Sequence, residues 1–161
     1  MTRLALAIAA AALFAGFWSP PVSYGADSPA TKPGLLVVVG PRSSLENVST
    51  VQLRQVFLLQ SKQIDGVPAL PFNHPHSSAH RSLFDKRILG MDPNQTSRYW
   101  VDRLIRDTTK APRSIASLKL LVAVVARLDG AISYVPPEAA SRHIKVLKVD
   151  GKAPGDPDYP L

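Results

Sequence analysis

The chain contains no cysteine. That excludes a disulfide scaffold, thiolate-ligated zinc, iron-sulfur clusters, thiol catalysis and a lipid anchor on an N-terminal cysteine. Glutamate is nearly missing as well: Glu46 and Glu138 are the only two, so paired carboxylates for acid-base chemistry are poorly supplied. There is no Gly-x-Ser-x-Gly elbow, and Gly40-Pro41 is followed by no second or third glycine of a phosphate loop. Serine-hydrolase and nucleotide-binding signatures are therefore lacking. These absences together point away from an enzyme and imply no cofactor. Charge is one-sided, with 19 Lys and Arg against 12 Asp and Glu.

What is present is one chain of 161 residues, 45% hydrophobic and 19% charged. Such a composition builds a single globular core and is unlike a disordered, collagenous or polytopic membrane chain. The one long apolar run follows Arg3, over residues 4–18, and leads through a Pro-containing stretch to small residues. This reads as a secretory signal peptide over residues 1–25, cleaved after Gly25 with Ser23 at the inner small-residue position. Cleavage after Ala26 would place bulky Tyr24 there. An uncleaved anchor is the other reading, although the run is shorter than the ~20 residues of a membrane span. The expected location is periplasmic or secreted, with no stable membrane insertion after cleavage.

Without residues 1–25 the chain keeps 18 basic against 12 acidic residues, a net charge of +6. The basic residues are scattered in ones and twos, so small anions suit the charge better than nucleic acid. Asn47-Val48-Ser49 and Asn94-Gln95-Thr96 match the glycosylation acceptor pattern, relevant only in a eukaryotic source.

Residues 26–34, ADSPATKPG, form a small, polar, flexible N-terminal stretch, and an α/β domain is expected over residues 35–150. The continuous apolar run at 35–39 predicts a strand covered on both faces. Ser49 caps a helix carrying Val51, Leu53, Val56, Phe57 and Leu59, and Asp65-Gly66 turns the chain. A short strand at 67–72, with Pro68 and Pro71, belongs at a sheet edge. Leu83, Phe84, Ile88 and Leu89 form a helical stripe stopped by Gly90. Asp92-Pro93 opens another helix, striped by Tyr99, Trp100, Leu104 and Ile105. Ser114 or Ser117 caps a further helix with Leu118, Leu121, Val122, Val125 and Leu128, closed by Asp129-Gly130. Strands follow at 131–135 and 144–149, the second alternating Ile144, Val146 and Val149 with Lys145 and Lys148. The tail, 151–161, has three prolines and reads as loose.

The segment from Phe72 to Phe84 is richest in chemistry. A strand ends, a polar loop follows, and a helix begins at Ser77 or Ser78, so free backbone amides gather at the carboxyl edge of the sheet. Amides, the hydroxyls of Ser77 and Ser78, and a cationic Arg81 suit phosphate, sulfate or carboxylate. A simpler role is open too: a serine that caps its helix and an arginine on a solvated face. His74, His76 and His80 lie within seven positions, and such spacing suits zinc, copper or nickel or a structural role. Tyr99 and Trp100 fit core packing, with ligand stacking the alternative. His143 reads as a surface residue.

Taken in order, Ser49-Thr50-Val51-Gln52-Leu53-Arg54-Gln55-Val56-Phe57, Asp65-Gly66, Arg81-Ser82-Leu83-Phe84, Tyr99-Trp100 and Gly130-Ala131-Ile132-Ser133-Tyr134-Val135 form a pattern. Over residues 35–150 it resembles the phosphate-binding protein of phosphate ABC importers, in the type II periplasmic binding protein superfamily. The resemblance implies an α/β fold, one lobe of such a protein, with a mixed sheet of about four strands flanked by helices. In that family an Arg and, four residues later, a Ser-Gly-Thr turn hold the anion. Counting back from Phe84 puts Ser78 on the serine, Ala79 on the glycine, His80 on the threonine and His74 on the arginine. Only the serine is kept, and Arg81 is placed to compensate. The implied anion site is therefore Ser77, Ser78, Ala79, His80, Arg81 and His74. The implied partners are phosphate or another small oxyanion and an ABC permease or other envelope protein. About 136 residues after the signal hold one lobe only, so no closing cleft forms within the chain. The alternatives are an envelope interaction module that binds no ligand, and a metal carrier built on His74, His76 and His80.

Overall fold

The computed structural model describes residues 34–161. The expected signal peptide and all but the last residue of the 26–34 stretch lie outside the described residues. Among the described residues no helix is long and apolar enough to cross a membrane.

The expected α/β architecture is present. A four-stranded mixed sheet runs in the order β5 (Leu70–Pro71), β6 (Ala131–Val135), β1 (Leu36–Val39), β7 (Lys145–Val146). β1 is antiparallel to both β6 and β7, whereas β5 is parallel to β6. Two two-stranded pieces accompany it: β2 (Asn47–Val48) with β8 (Lys148–Val149), and β3 (Gln63–Ile64) with β4 (Val67–Pro68). β5, with its proline, sits at the sheet edge, where the missing N–H breaks no ladder.

The unbroken apolar runs of β1 and β6 are explained by cover on both faces. Val37, Val39, Ile132 and Tyr134 join Leu53, Val56, Phe57, Phe84 and Leu89 in one core cluster. Val38, Ala131 and Val135 join Leu121 and Val125 in a second cluster on the other face. Strand periodicity of two sorts these side chains, and the register Val37 with Tyr134 and Val39 with Ile132 keeps each set together.

The helices start where sequence predicts. Ser49 and Gln52 form a capping box at α1 (Thr50–Phe57), and Asp92 and Gln95 another at α3 (Pro93–Asp107). Ser117, not Ser114, caps α4 (Leu118–Arg127), accepting from the amide of Leu120. α2 (Ala79–Phe84) passes into a π-helical turn, Asp85–Leu89, which Gly90 ends in a left-handed conformation at φ 68°.

Five expectations need correction. The strand expected over 67–72 is two pieces in different sheets, Val67–Pro68 paired with β3 and Leu70–Pro71 with β6, because the chain bends between its two prolines. In α1 Val51 is exposed and Leu59 lies beyond the helix end at Phe57. Leu104 and Ile105 do not form a buried stripe; they are exposed, with Val101, because α3 runs past the core beyond Trp100. Residues 144–149 are not one strand: the amide of Leu147 donates to Val37 O and that of Lys148 to Glu46 O, so the chain changes sheets there. The tail is not loose. Leu161 is buried, and the Tyr159 hydroxyl accepts from the amide of Val37 at 3.5 Å, because two terminal apolar side chains find room on the core.

Candidate functional site

β5 carries the chain into Phe72, Asn73 and His74, and β6 fixes all three. The amide of Phe72 donates to Ile132 O at 2.9 Å, and Ser133 Oγ donates to Phe72 O at 2.8 Å. The Tyr134 hydroxyl donates to Asn73 Oδ1 at 3.2 Å. His74 Nε2 lies 2.8 Å from Tyr134 O; a carbonyl only accepts, so Nε2 carries the proton. Phe84 stacks on the Tyr134 ring at 3.9 Å between centroids. The loop and the following helix are thereby clamped to one strand.

Ser78 is the N-cap of α2, with its hydroxyl making no bond to the helix it opens. Its own amide donates to Pro75 O, and the first intrahelical bond comes from Ser82. The amides of Ala79, His80 and Arg81 precede that bond and are the free donors of the first turn. Ser77 is exposed, and Ser78 and His80 are partly so.

Arg81 is not the solvated face residue of the simpler reading. It is 6% exposed, and its Nε donates to both carboxylate oxygens of Asp85 at 2.8 Å. Among the described residues neither Nη atom has a hydrogen-bond partner, and neither is buried without one. The pair therefore fixes the guanidinium while leaving its outer edge able to donate. Burial pushes the Asp85 carboxyl above the usual range, opposed by the charge and hydrogen bond of Arg81. Burial pushes the His74 imidazole below its usual range, opposed by its bond to Tyr134 O and reinforced by His80 and Arg81. Burial also raises the Tyr134 phenol far above its usual value.

The three histidines are not brought to one point. His74 and His80 meet edge to face with centroids 5.3 Å apart, while exposed His76 turns its Nε2 to Ser97 Oγ at 2.9 Å. Among the described residues no group of three or more His, Cys, Asp or Glu is arranged to hold a metal ion. Tyr99 and Trp100 pack against the core cluster, edge to face on each other, as core packing requires.

Sequence reading missed Asn73, Asp85, Ser133 and Tyr134, which build the buried polar support of the turn. The spacing Arg81 to Asp85, one helical turn, was the available signal. The Ser78 turn lines none of four surface grooves of about 300 to 430 Å³ formed elsewhere.

No protein-family model matches the chain, and no curated protein matches it. Solved structures do. An ABC-type phosphate transport receptor from Vibrio cholerae superposes with TM-score 0.60 at 14% identity, over 75% of this chain and 48% of that one. The chain has the fold of part of that receptor. A putative phosphate ABC transporter substrate-binding protein with bound phosphate, from Clostridium perfringens, gives TM-score 0.58 at 14% identity, over 74% and 46%. PstS from Borrelia burgdorferi gives 0.57 at 13% identity, over 74% and 48%. The chain thus spans about half the length of the structures whose fold it shares in part, the extent expected of one lobe.

Proposed function

We propose that the chain is an extracytoplasmic binding-protein-like module, without enzymatic activity, that holds phosphate or a related oxyanion on the Ser77 to Arg81 turn. The observation that carries this reading is the buried Arg81, pinned by Asp85 with its Nη edge unbonded, in the first turn of a helix whose N-cap hydroxyl is also unspent. Free amides of Ala79 and His80 and the hydroxyls of Ser77 and Ser78 complete the donor set, and His74 adds a donor only where the bound anion draws a proton onto its buried, neutral ring. The fold shared with phosphate receptors supports the same ligand class. With one lobe the anion stays hydrated on one side, so binding is weak until a partner chain or a second copy covers it. The fitting role is an accessory to ABC-type transport or sensing.

Thermal melts with phosphate, sulfate and zinc in separate runs test this. A saturable rise in Tm with phosphate, lost in Ser78→Asp, is the expected result. No rise with any anion refutes the ligand, and a rise with zinc alone transfers the site to the histidines.

A second reading has its own observation. α3 exposes Val101, Leu104 and Ile105 on a helix whose Trp100 Nε1 is buried without a partner. Such a face suits an interaction module. Detergent-insensitive self-association or partner capture abolished by Ile105→Ser, with no anion response, would favour it.

A further inference from the structure

α4 turns Leu121 and Val125 into the core but leaves a second apolar row outside. Leu120 is 54% exposed, Val124 follows one turn on, half-buried against the core, and Leu128, 42% exposed, stands at the helix end. Beside this row, one turn apart each, run Lys119, Ala123 and Arg127. They border a groove of about 430 Å³, floored by Pro41, Val122 and Ala126 and rimmed by Lys119, Arg127, Arg142 and His143. A shallower apolar groove of about 320 Å³ lies along Leu120, Val124 and Leu128 and shares Ala123 and Arg127 with it.

No carboxylate lines either groove. From Thr108 to Leu128, and again from Ala139 to Lys148, the sequence has no Asp or Glu. The nearest acids do not neutralise the rim: Asp129 is bonded to Arg42 at 2.7 Å, and Glu138 sits on the 3-10 turn outside the groove. Among the described residues Lys119, Arg127 and Arg142 have no carboxylate partner.

We propose that this face adsorbs to an anionic lipid surface, with α4 lying in the plane of the headgroups. Exposed leucines beside an acid-free basic row is the arrangement of an interfacial helix. Area argues against a protein partner: ten helical residues are ~15 Å long, and at ~10 Å wide the face is far below the ~800 Å² per partner of a stable complex. Many small anionic headgroups need no such area. Adsorption is shallow and reversible, and it leaves the Ser78 turn unused.

The test is co-sedimentation of the full chain with phosphatidylcholine vesicles and with vesicles of equal phosphatidylcholine and phosphatidylglycerol. Binding to the second only, lost between roughly 0.1 M and 1 M salt as screening shortens, is expected. Lys119→Ala with Arg127→Ala and Arg142→Ala weakens it on the order of a hundredfold. Leu120→Ser with Leu128→Ser weakens it as well, each variant first shown to melt like the parent. The salt arm uses the unmodified chain and stands even if a variant fails to fold. No binding, or equal binding to both vesicles, overturns the proposal. So does full displacement by soluble glycerol phosphate, which would make the groove a small-anion site. A dimer in solution that the leucine variant dissolves would make the face a contact between copies, and likewise overturns it.

Discussion

Replacing Arg81 by Met removes the guanidinium and leaves Asp85 buried at 1% exposure, with both oxygens stripped of their donor. Breaking a buried pair from one side costs about 3 to 5 kcal/mol, against a whole-domain stability of about 5 to 15 kcal/mol. The loss depends on pH. Burial already raises the Asp85 carboxyl, and without Arg81 it rises further, so the native variant takes up a proton that the unfolded chain does not. A raised carboxylate loses stability as pH climbs through its folded value, so the deficit of Arg81→Met is larger at pH 8 than at pH 5. Arg81→Met with Asp85→Leu removes both partners, and it costs less than Arg81→Met alone because no charge is stranded. The assay is urea unfolding by circular dichroism at the two pH values, with slopes required to match. A loss under about 1 kcal/mol for Arg81→Met, the figure of an exposed pair, would show that the pair is wet and would refute its anchoring role.

Other outcomes follow from the same packing. His74 is depressed below 6.5 in the fold, so the unfolded chain binds the proton first as pH falls. Stability is then full above pH 6.5 and drops below it by at most about 1.4 kcal/mol per pH unit; His74→Gln, measured in parallel, lacks that drop. Parallel curves for parent and variant would refute the buried neutral ring. Gly130 has φ 79°, and an added Cβ would stand 2.9 Å from Pro68 O, so Gly130→Ala costs ~2 kcal/mol by chemical denaturation. An unchanged midpoint would contradict the close approach of that turn to β4. Leu121→Ala and Ile132→Ala each lose about 2 to 5 kcal/mol through cavity formation, in separate clusters on opposite sheet faces. They lie in different clusters, so the double variant adds; strong coupling would show the two faces are not independent.

Caps and turns were legible because their signals are local: Ser49 with Gln52, Asp92 before Pro93, and Gly90 and Gly130 each act through neighbours in sequence. The doubly covered strands were legible from runs too apolar for a wetted face. Helix α3 misled because periodicity marks an apolar stripe without saying whether anything covers it; Ile105 keeps 78% of its surface. The break at Leu147 escaped because alternation is the same whether a strand stays in one sheet or crosses to another. At the site, the position of the Ser78 turn was readable, whereas its support was not. Tyr134 lies 60 positions from His74, and only tertiary packing joins them.

The proposed anion site is tested most directly by following backbone amide resonances of the chain during titration with phosphate, then with sulfate. The Ala79 and His80 amides are expected to move first and saturably, with the His74 ring following as bound anion draws a proton onto it. Amides at the Ser78 turn that stay still while others shift around Arg127 and Arg142, or no movement anywhere, would contradict it.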